Sequence, residues 1–332
     1  MNRVKQHVLK KRSNVEYSIY AWFLMMLISF AAITTNSAHA QLNGKHPLVG
    51  KLWSVEDSRF IDTEELKRKV LESDYVAIGE THDNMDHHRI QAKILNWFVS
   101  ENKPVSPVFE MLSEQQLGSI QKMPPESSDS FFDKVSWEDS GWPDRKFYKP
   151  IFDIVIEQKL PIFAAETERA LLMQLTKGGE SHLPDDIAKY LNDVKLGEDQ
   201  KKQLKEEIID SHCGMLPETM VDPMVLGQRV RDVVMAKSLL SASKTGTAIL
   251  FSGSGHGRKD YGAPAYVKSQ HPDARISTVA MMEVVEEVVQ PGDYSEAWAS
   301  KKIPFDYVWF TSRMERGDPC EELKQHFKKH PV

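Results

Sequence analysis

Residues 75–91 read Tyr-Val-Ala-Ile-Gly-Glu-Thr-His-Asp-Asn-Met-Asp-His-His-Arg-Ile-Gln, and the fold class turns on how they are read. Val76 to Ile78 is an apolar run too short and too rich in β-formers for a helix, so a strand is expected from Tyr75. Gly79 turns the chain, and Glu80, His82 and Asp83 follow within four positions. A helix capped by Asp83 or Asn84 then carries His87, His88 and Gln91 in its first turns. Three histidines and three carboxylates between Glu80 and His88 are too polar for a core, so this strand end is expected to be the functional site. His87 and His88 diverge on the helix, and at least one should be solvated.

Outward from this stretch, short apolar runs alternate with amphipathic segments. Glu64–Ser73, Asn84–Glu101 and Phe152–Gln158 carry helical spacing, and Ser113 to Gln116 has the form of a capping box opening another helix. Further strands are expected at Val105–Phe109, Leu160–Ala165, Thr247–Ser252, Arg275–Met282 and Phe305–Phe310. The alternation implies an α/β fold with right-handed crossovers and a mainly parallel sheet of about six strands flanked by helices. Residues 184–243 lack any strand signal and read as a helical insertion or cap, while residues 124–150 form a polar, aromatic-rich insertion. The polar stretch from Glu315 onward reads as a loosely held tail.

Residues 1–40 have the form of a signal peptide. Arg3, Lys5, Lys10, Lys11 and Arg12 precede an apolar stretch, Ile19–Ile33, and Ala38-His39-Ala40 offers a cleavage site before Gln41. The apolar stretch is shorter than the roughly 20 residues that span a bilayer. Export to the periplasm or cell envelope is therefore expected, leaving a single domain over residues 41–332. The presequence carries net +4, so its removal takes the formal charge from −6 to −10, a poor balance for nucleic-acid binding. Cys213 and Cys320 are the two cysteines, and one bridge can form between them.

The strand ends repeat one chemistry. Glu80 and His82 follow the first strand, Glu110 the second, Glu166 the third and His256 the fourth. That edge of an α/β sheet is where ligands bind. Each residue alone is more readily a cap or an ion-pair partner, but four such ends together favour a pocket. His212, beside Cys213 in a loop of the helical block, suggests that the cap contributes too. Glu80, His82, Glu110, Glu166, His212 and His256 make a donor set suited to a divalent metal such as zinc or manganese. Glu80, His82, Glu110 and His256 would equally serve a hydrolase by general-base catalysis. No His-Glu-x-x-His motif is present, and Gly253-Ser254-Gly255-His256 lacks the lysine of a phosphate loop.

Three segments carry a family resemblance: Ile78-Gly-Glu-Thr-His-Asp-Asn84 with His87, His88 and Gln91; His212-Cys-Gly-Met-Leu-Pro-Glu218 with Gln228, Arg231, Asp232, Met235 and Ala236; and Gly253-Ser-Gly-His256 with Arg258, Asp260, Tyr261, Gly262 and Pro264. In this order they resemble the ChaN-like family of bacterial haem-binding uptake proteins, of a superfamily that also holds the Tiki proteases and erythromycin esterases. The resemblance spans roughly Leu48 to Phe310. It implies an exported haem-binding protein of iron uptake with an α/β core and a helical subdomain, a homodimer, and an outer-membrane or uptake-system partner. It makes His82, His87, His88, His212, His256 and Tyr261 the candidate haem-binding residues. Without a Cys at the cleavage site, the lipid anchor of some members is not expected.

Overall fold

The structure is a computed structural model that describes residues 41–42, 45–298 and 300–329. The expected signal peptide lies outside these residues. Among the described residues the strands are β1 (Gln41–Leu42), β2 (Leu52–Ser54), β3 (Arg59–Ile61), β4 (Tyr75–Glu80), β5 (Val105–Phe109), β6 (Phe163–Ala164), β7 (Thr247–Gly253), β8 (Ile276–Glu283), β9 (Tyr307–Thr311) and β10 (Arg313–Met314). Eight of them form one sheet in the order β3-β2-β9-β8-β4-β7-β5-β6, and β1 pairs with β10 apart from it. The six strands from β9 to β6 run parallel, as the alternating pattern requires.

The two additional strands, β2 and β3, pair antiparallel with each other, and β2 also runs antiparallel to β9. Each is three residues long, too short to show a period in sequence. The expected strand at Leu160–Ala165 shrinks to Phe163–Ala164. Leu160 still closes the preceding helix by donating its N–H to Val155 O, and Pro161 has no N–H to give a ladder.

The parallel strands are apolar on both faces. Val76 and Ile78 join the core on one face, whereas Tyr75 and Ala77 join that on the other. On the first face lie α1 (Thr63–Leu71), α2 (Met85–Ser100), α3 (Glu114–Lys122), α4 (Ser128–Lys134) and α5 (Arg145–Glu157). The capping box that opens α3 forms between Ser113 and Gln116. The aromatic segment expected as an insertion supplies this core: Phe131, Phe132, Trp137 and Tyr148 are buried in a run of ring contacts with Phe152.

The other face carries α6 (Arg169–Gly178) and α7 (Asp185–Asp193), then α8 (Glu198–Ser211), which packs on α9 (Glu218–Ala242) rather than on the sheet, the single turn α10 (Ser254–Gly257) at the ends of β4 and β7, and α11 (Ala263–Gln270). The helical stretch thus begins at Arg169, ahead of residue 184. The polar tail is structured where it was expected to be loose. Arg316 pairs with Asp83 and Glu283, and α12 (Pro319–Lys329) is tied to the end of α8 by the Cys213–Cys320 disulfide.

Candidate functional site

The order β4-β7-β5-β6 sets the four Glu- or His-bearing strand ends side by side. Glu80 is the last residue of β4, and its side chain has no solvent exposure. His82 Nδ1 lies 2.8 Å from its Oε1. His88 Nδ1 lies 2.9 Å from Oε2 and also hydrogen-bonds Gln91 Oε1 at 3.1 Å. The other nitrogen of His88 meets His82 O at 2.8 Å, so both of its nitrogens face oxygen acceptors. Burial pushes the Glu80 carboxyl up, but the charge of His88 and hydrogen bonds from His82 and His88 overcome this and hold it down at about 2. Burial likewise opposes the charged form of His82, while the hydrogen bond to Glu80 raises it more.

A second polar group is assembled from β5, β7 and α9. His256 in α10 is fully buried and places Nδ1 2.6 Å from Asp232 Oδ1 of α9. Its Nε2 lies 3.5 Å from Glu110 Oε1, and Glu110 Oε2 accepts the Gly253 N–H at 2.8 Å. Burial raises the Asp232 carboxyl to about 6 against the pull of His256. Two close approaches hold this arrangement together. A Cβ on Gly79 would stand 2.8 Å from Ser254 Cα, so only glycine lets α10 rest on β4, and Ser254 Oγ then donates to Glu80 O. A Cβ on Gly253 would meet the His82 ring at 3.1 Å.

Between these strand ends and the helical block lies a cavity of about 290 Å³. Its floor is Glu80, Thr81, His82, Gly253, Ser254 and Gly255. Leu172 and Met173 of α6, Leu204 and Ile208 of α8, and Met220 and Met224 of α9 form an apolar wall, with Met173 half-exposed at the rim. Gln228 and Arg231 of α9 and His212 at the end of α8 also line it. The cavity therefore opposes an oily side to a polar one, the pattern of a small-molecule pocket.

The sequence-derived candidates separate clearly. Glu80 and His82 line the cavity, with Glu110 and His256 beside them beneath the floor. Half-buried Glu166 has its carboxyl raised by burial against the pull of Arg231. His212 is 1 % exposed and reaches the cavity from the opposite side. Contrary to expectation, neither His87 nor His88 is solvated; both have 0 % exposure. His87 Nδ1 accepts the Thr81 N–H and Nε2 meets Thr311 Oγ1, so both nitrogens are used within the fold. Tyr261 is buried against Arg258, whose guanidinium carbon lies 3.7 Å from the ring centroid, and its hydroxyl donates to Glu207. Burial and the Glu207 charge push that phenol far up.

Among the described residues, no three His, Cys, Asp or Glu side chains are grouped to hold a metal ion. Of the six residues proposed as metal donors, Glu80 and His82 are paired with each other, His256 faces Glu110, and His212 stands across the cavity from them.

Residues 66–267 match the family described as haem-binding uptake, Tiki superfamily, ChaN. The chain belongs to that family. A solved structure of Campylobacter jejuni ChaN, described as cofacial haem binding, superposes on this ChaN-family chain with a TM-score of 0.62 at 23% identity, covering 78% of this chain and 95% of the other. A mutant of the erythromycin esterase EreC in its open conformation aligns at 10% identity and a TM-score of 0.41, covering 84% of this chain and 87% of that one. No curated protein matches.

Gln228, Arg231 and Asp232 belong to the second of the segments that carry the resemblance in sequence, but only the fold brings Asp232 to His256. Glu207, which binds both Arg258 and Tyr261, carries no sequence signal, because it sits among other charges on α8.

Proposed function

We propose that this ChaN-family chain binds haem in the cavity beneath the helical block and serves iron uptake in the cell envelope. The observation that carries the reading is the opposition of the Leu172, Leu204, Ile208 and Met224 wall to the buried polar strand ends. A porphyrin needs apolar walls for its faces and a nitrogen or oxygen donor for its iron, and both kinds of group line this cavity. Bound haem supplies the iron that is carried, and the chain's own residues bind and shield it. At about 290 Å³ the cavity is at the lower end of ligand pockets, so part of the macrocycle would extend past Met173, where a second copy could cover it. The Cys213–Cys320 bridge supports an oxidising compartment and thus the export expected from residues 1–40.

Titration of the purified mature chain with hemin should give a saturable, shifted Soret band, and Leu204→Asp should weaken it. A chain that leaves the hemin spectrum unchanged would sink the proposal. Cell fractionation tests the envelope location, and an uncleaved cytosolic protein would refute it.

One observation favours a second reading. Glu80 holds His82 Nδ1 while His82 lines the cavity, the arrangement of a general base that activates water on an ester or amide. Turnover of a chromogenic ester, lost in His82→Ala, would support hydrolysis. No turnover across esters and amides would remove it.

A further inference from the structure

The helical wall of the cavity carries soft donors among its apolar groups. The residues of α9 that line it are Met220, Pro223, Met224, Gly227, Gln228 and Arg231, spaced three and four apart, so one face of the helix borders the space. Met220 and Met224 lie about one turn apart on that face. Leu204, Glu207, Ile208 and Ser211 of α8 also border it, and His212 follows at the helix end. Residues 213–217 alone separate His212 from α9, on which α8 packs. One imidazole and two thioethers therefore share a wall.

The imidazole is prepared to bind something. His212 Nδ1 lies 2.6 Å from Ile208 O, which can only accept, so Nδ1 carries the hydrogen and Nε2 of the neutral ring carries a lone pair. That Nε2 is buried and meets no hydrogen-bonding group among the described residues, in a side chain whose residue is 1 % exposed. Methionines alone would be ordinary fillers of an apolar wall. A stranded imidazole nitrogen beside them is not, since a buried polar atom without a partner destabilises the fold.

The harder donors on the lining are committed. Glu80 meets His82 and His88, and Glu207 meets Arg258 and Tyr261. The chain's two cysteines are joined to each other. Arg231 lies about two turns beyond Met224, in the field of Glu110, Glu166 and Asp232. A set of one neutral nitrogen and two uncharged sulfurs brings no negative charge to offset a divalent ion, and thioether sulfur selects a soft metal. We propose that His212 Nε2 and the thioethers of Met220 and Met224 form a Cu(I) site on the helical wall. Binding transfers no electron and releases no proton, because the ring is already neutral at Nε2. The hydrogen bond to Ile208 O orients the ring, as a backbone carbonyl does for metal-binding histidines, and the disulfide at Cys213 anchors the backbone beside it. This site goes beyond the haem reading and does not depend on it.

The test titrates the mature chain, disulfide intact, with Cu(I) under ascorbate and without oxygen, against the coloured chelator bicinchoninate. Wild type should withdraw one Cu(I) per chain, and X-ray absorption of the loaded protein should show sulfur and nitrogen on the copper. Met220→Leu combined with Met224→Leu conserves volume and should fold. It should lose the sulfur signal and weaken Cu(I) binding on the order of 100-fold, at least the loss caused by removing a ligand's own hydrogen-bond partner. His212→Asn keeps a donor near Ile208 O and should weaken binding as much; if it misfolds, the leucine pair decides. Met123→Leu, at an exposed thioether on the other side of the sheet, should bind as wild type. Ag(I), soft and monovalent but not redox-active, should rank the variants in the same order. A wild type that leaves copper with the chelator, or a leucine pair that binds it undiminished, overturns the site. Hemin titration of the same samples is read separately: an unchanged hemin spectrum sinks the haem reading and leaves the copper site standing.

Discussion

His87 and Glu80 stand seven positions apart and are both buried, yet they owe their protonation to opposite circumstances. His87 has its proton affinity driven down to about 3, chiefly by burial. Glu80 is held at about 2 by its histidines in spite of burial. Both values lie below those of the unfolded chain, so in each case the unfolded state binds the proton first as pH falls. The His87 contribution is complete above about pH 6.5 and fades as pH drops toward 3, and that of Glu80 fades between about 4.5 and 2. Asp232 works the other way: its folded state takes up the proton first, so its raised carboxyl adds stability as pH falls from about 6 to about 4 and offsets part of the loss. Urea unfolding should therefore show a net loss between pH 7 and pH 4, with His87 alone contributing ~3 kcal/mol. His87→Gln cannot titrate and should flatten that dependence; an unchanged slope would show that the buried ring is not its source.

Elements position these residues through two close approaches, that of α10 to β4 at Gly79 and that of the end of β7 to His82 at Gly253. Gly79→Ala would drive a Cβ into the Ser254 backbone, and relief by moving α10 would carry His256 away from Asp232. The expected cost is about 1–3 kcal/mol, visible as a lower melting temperature. A melting temperature equal to wild type would mean that α10 yields freely. The parallel strands were legible in sequence because each is apolar on both faces, and their ends were legible because a Glu or His breaks each run abruptly. Strands β2 and β3 were not, since three residues cannot display a period. Nor was the cavity wall, because Leu172, Leu204 and Met224 come from three helices whose mutual placement is purely tertiary. His212 was visible as a residue, but its place across the cavity from His82 depends on where α8 ends. The polar run after Glu315 concealed a helix and an arginine that finds two carboxylates at distant positions.

At the scale of the whole molecule, the disulfide closes a loop between positions 107 residues apart. Cross-links of that span typically stabilise by about 2–4 kcal/mol through the unfolded chain. Replacing Cys213 and Cys320 together by Ser should lower the unfolding free energy by that amount and bring the urea midpoint down with it. Equal midpoints would show that α12 is held without the bridge. The covered sheet faces should leave the rest of the fold intact in such a variant, since both main cores are built from residues between 52 and 309.

The two ties from the carboxyl terminus also impose an order in time. Asp83 and Cys213 precede their partners Arg316 and Cys320 by 233 and 107 positions, so both ties wait for residues made much later. Until those last residues arrive, Asp83 and Glu283 face each other without their shared cation, and the segment next to His212 is untethered. A chain shortened before Arg316 would thus leave two largely buried carboxylates and the end of α8 without their ties.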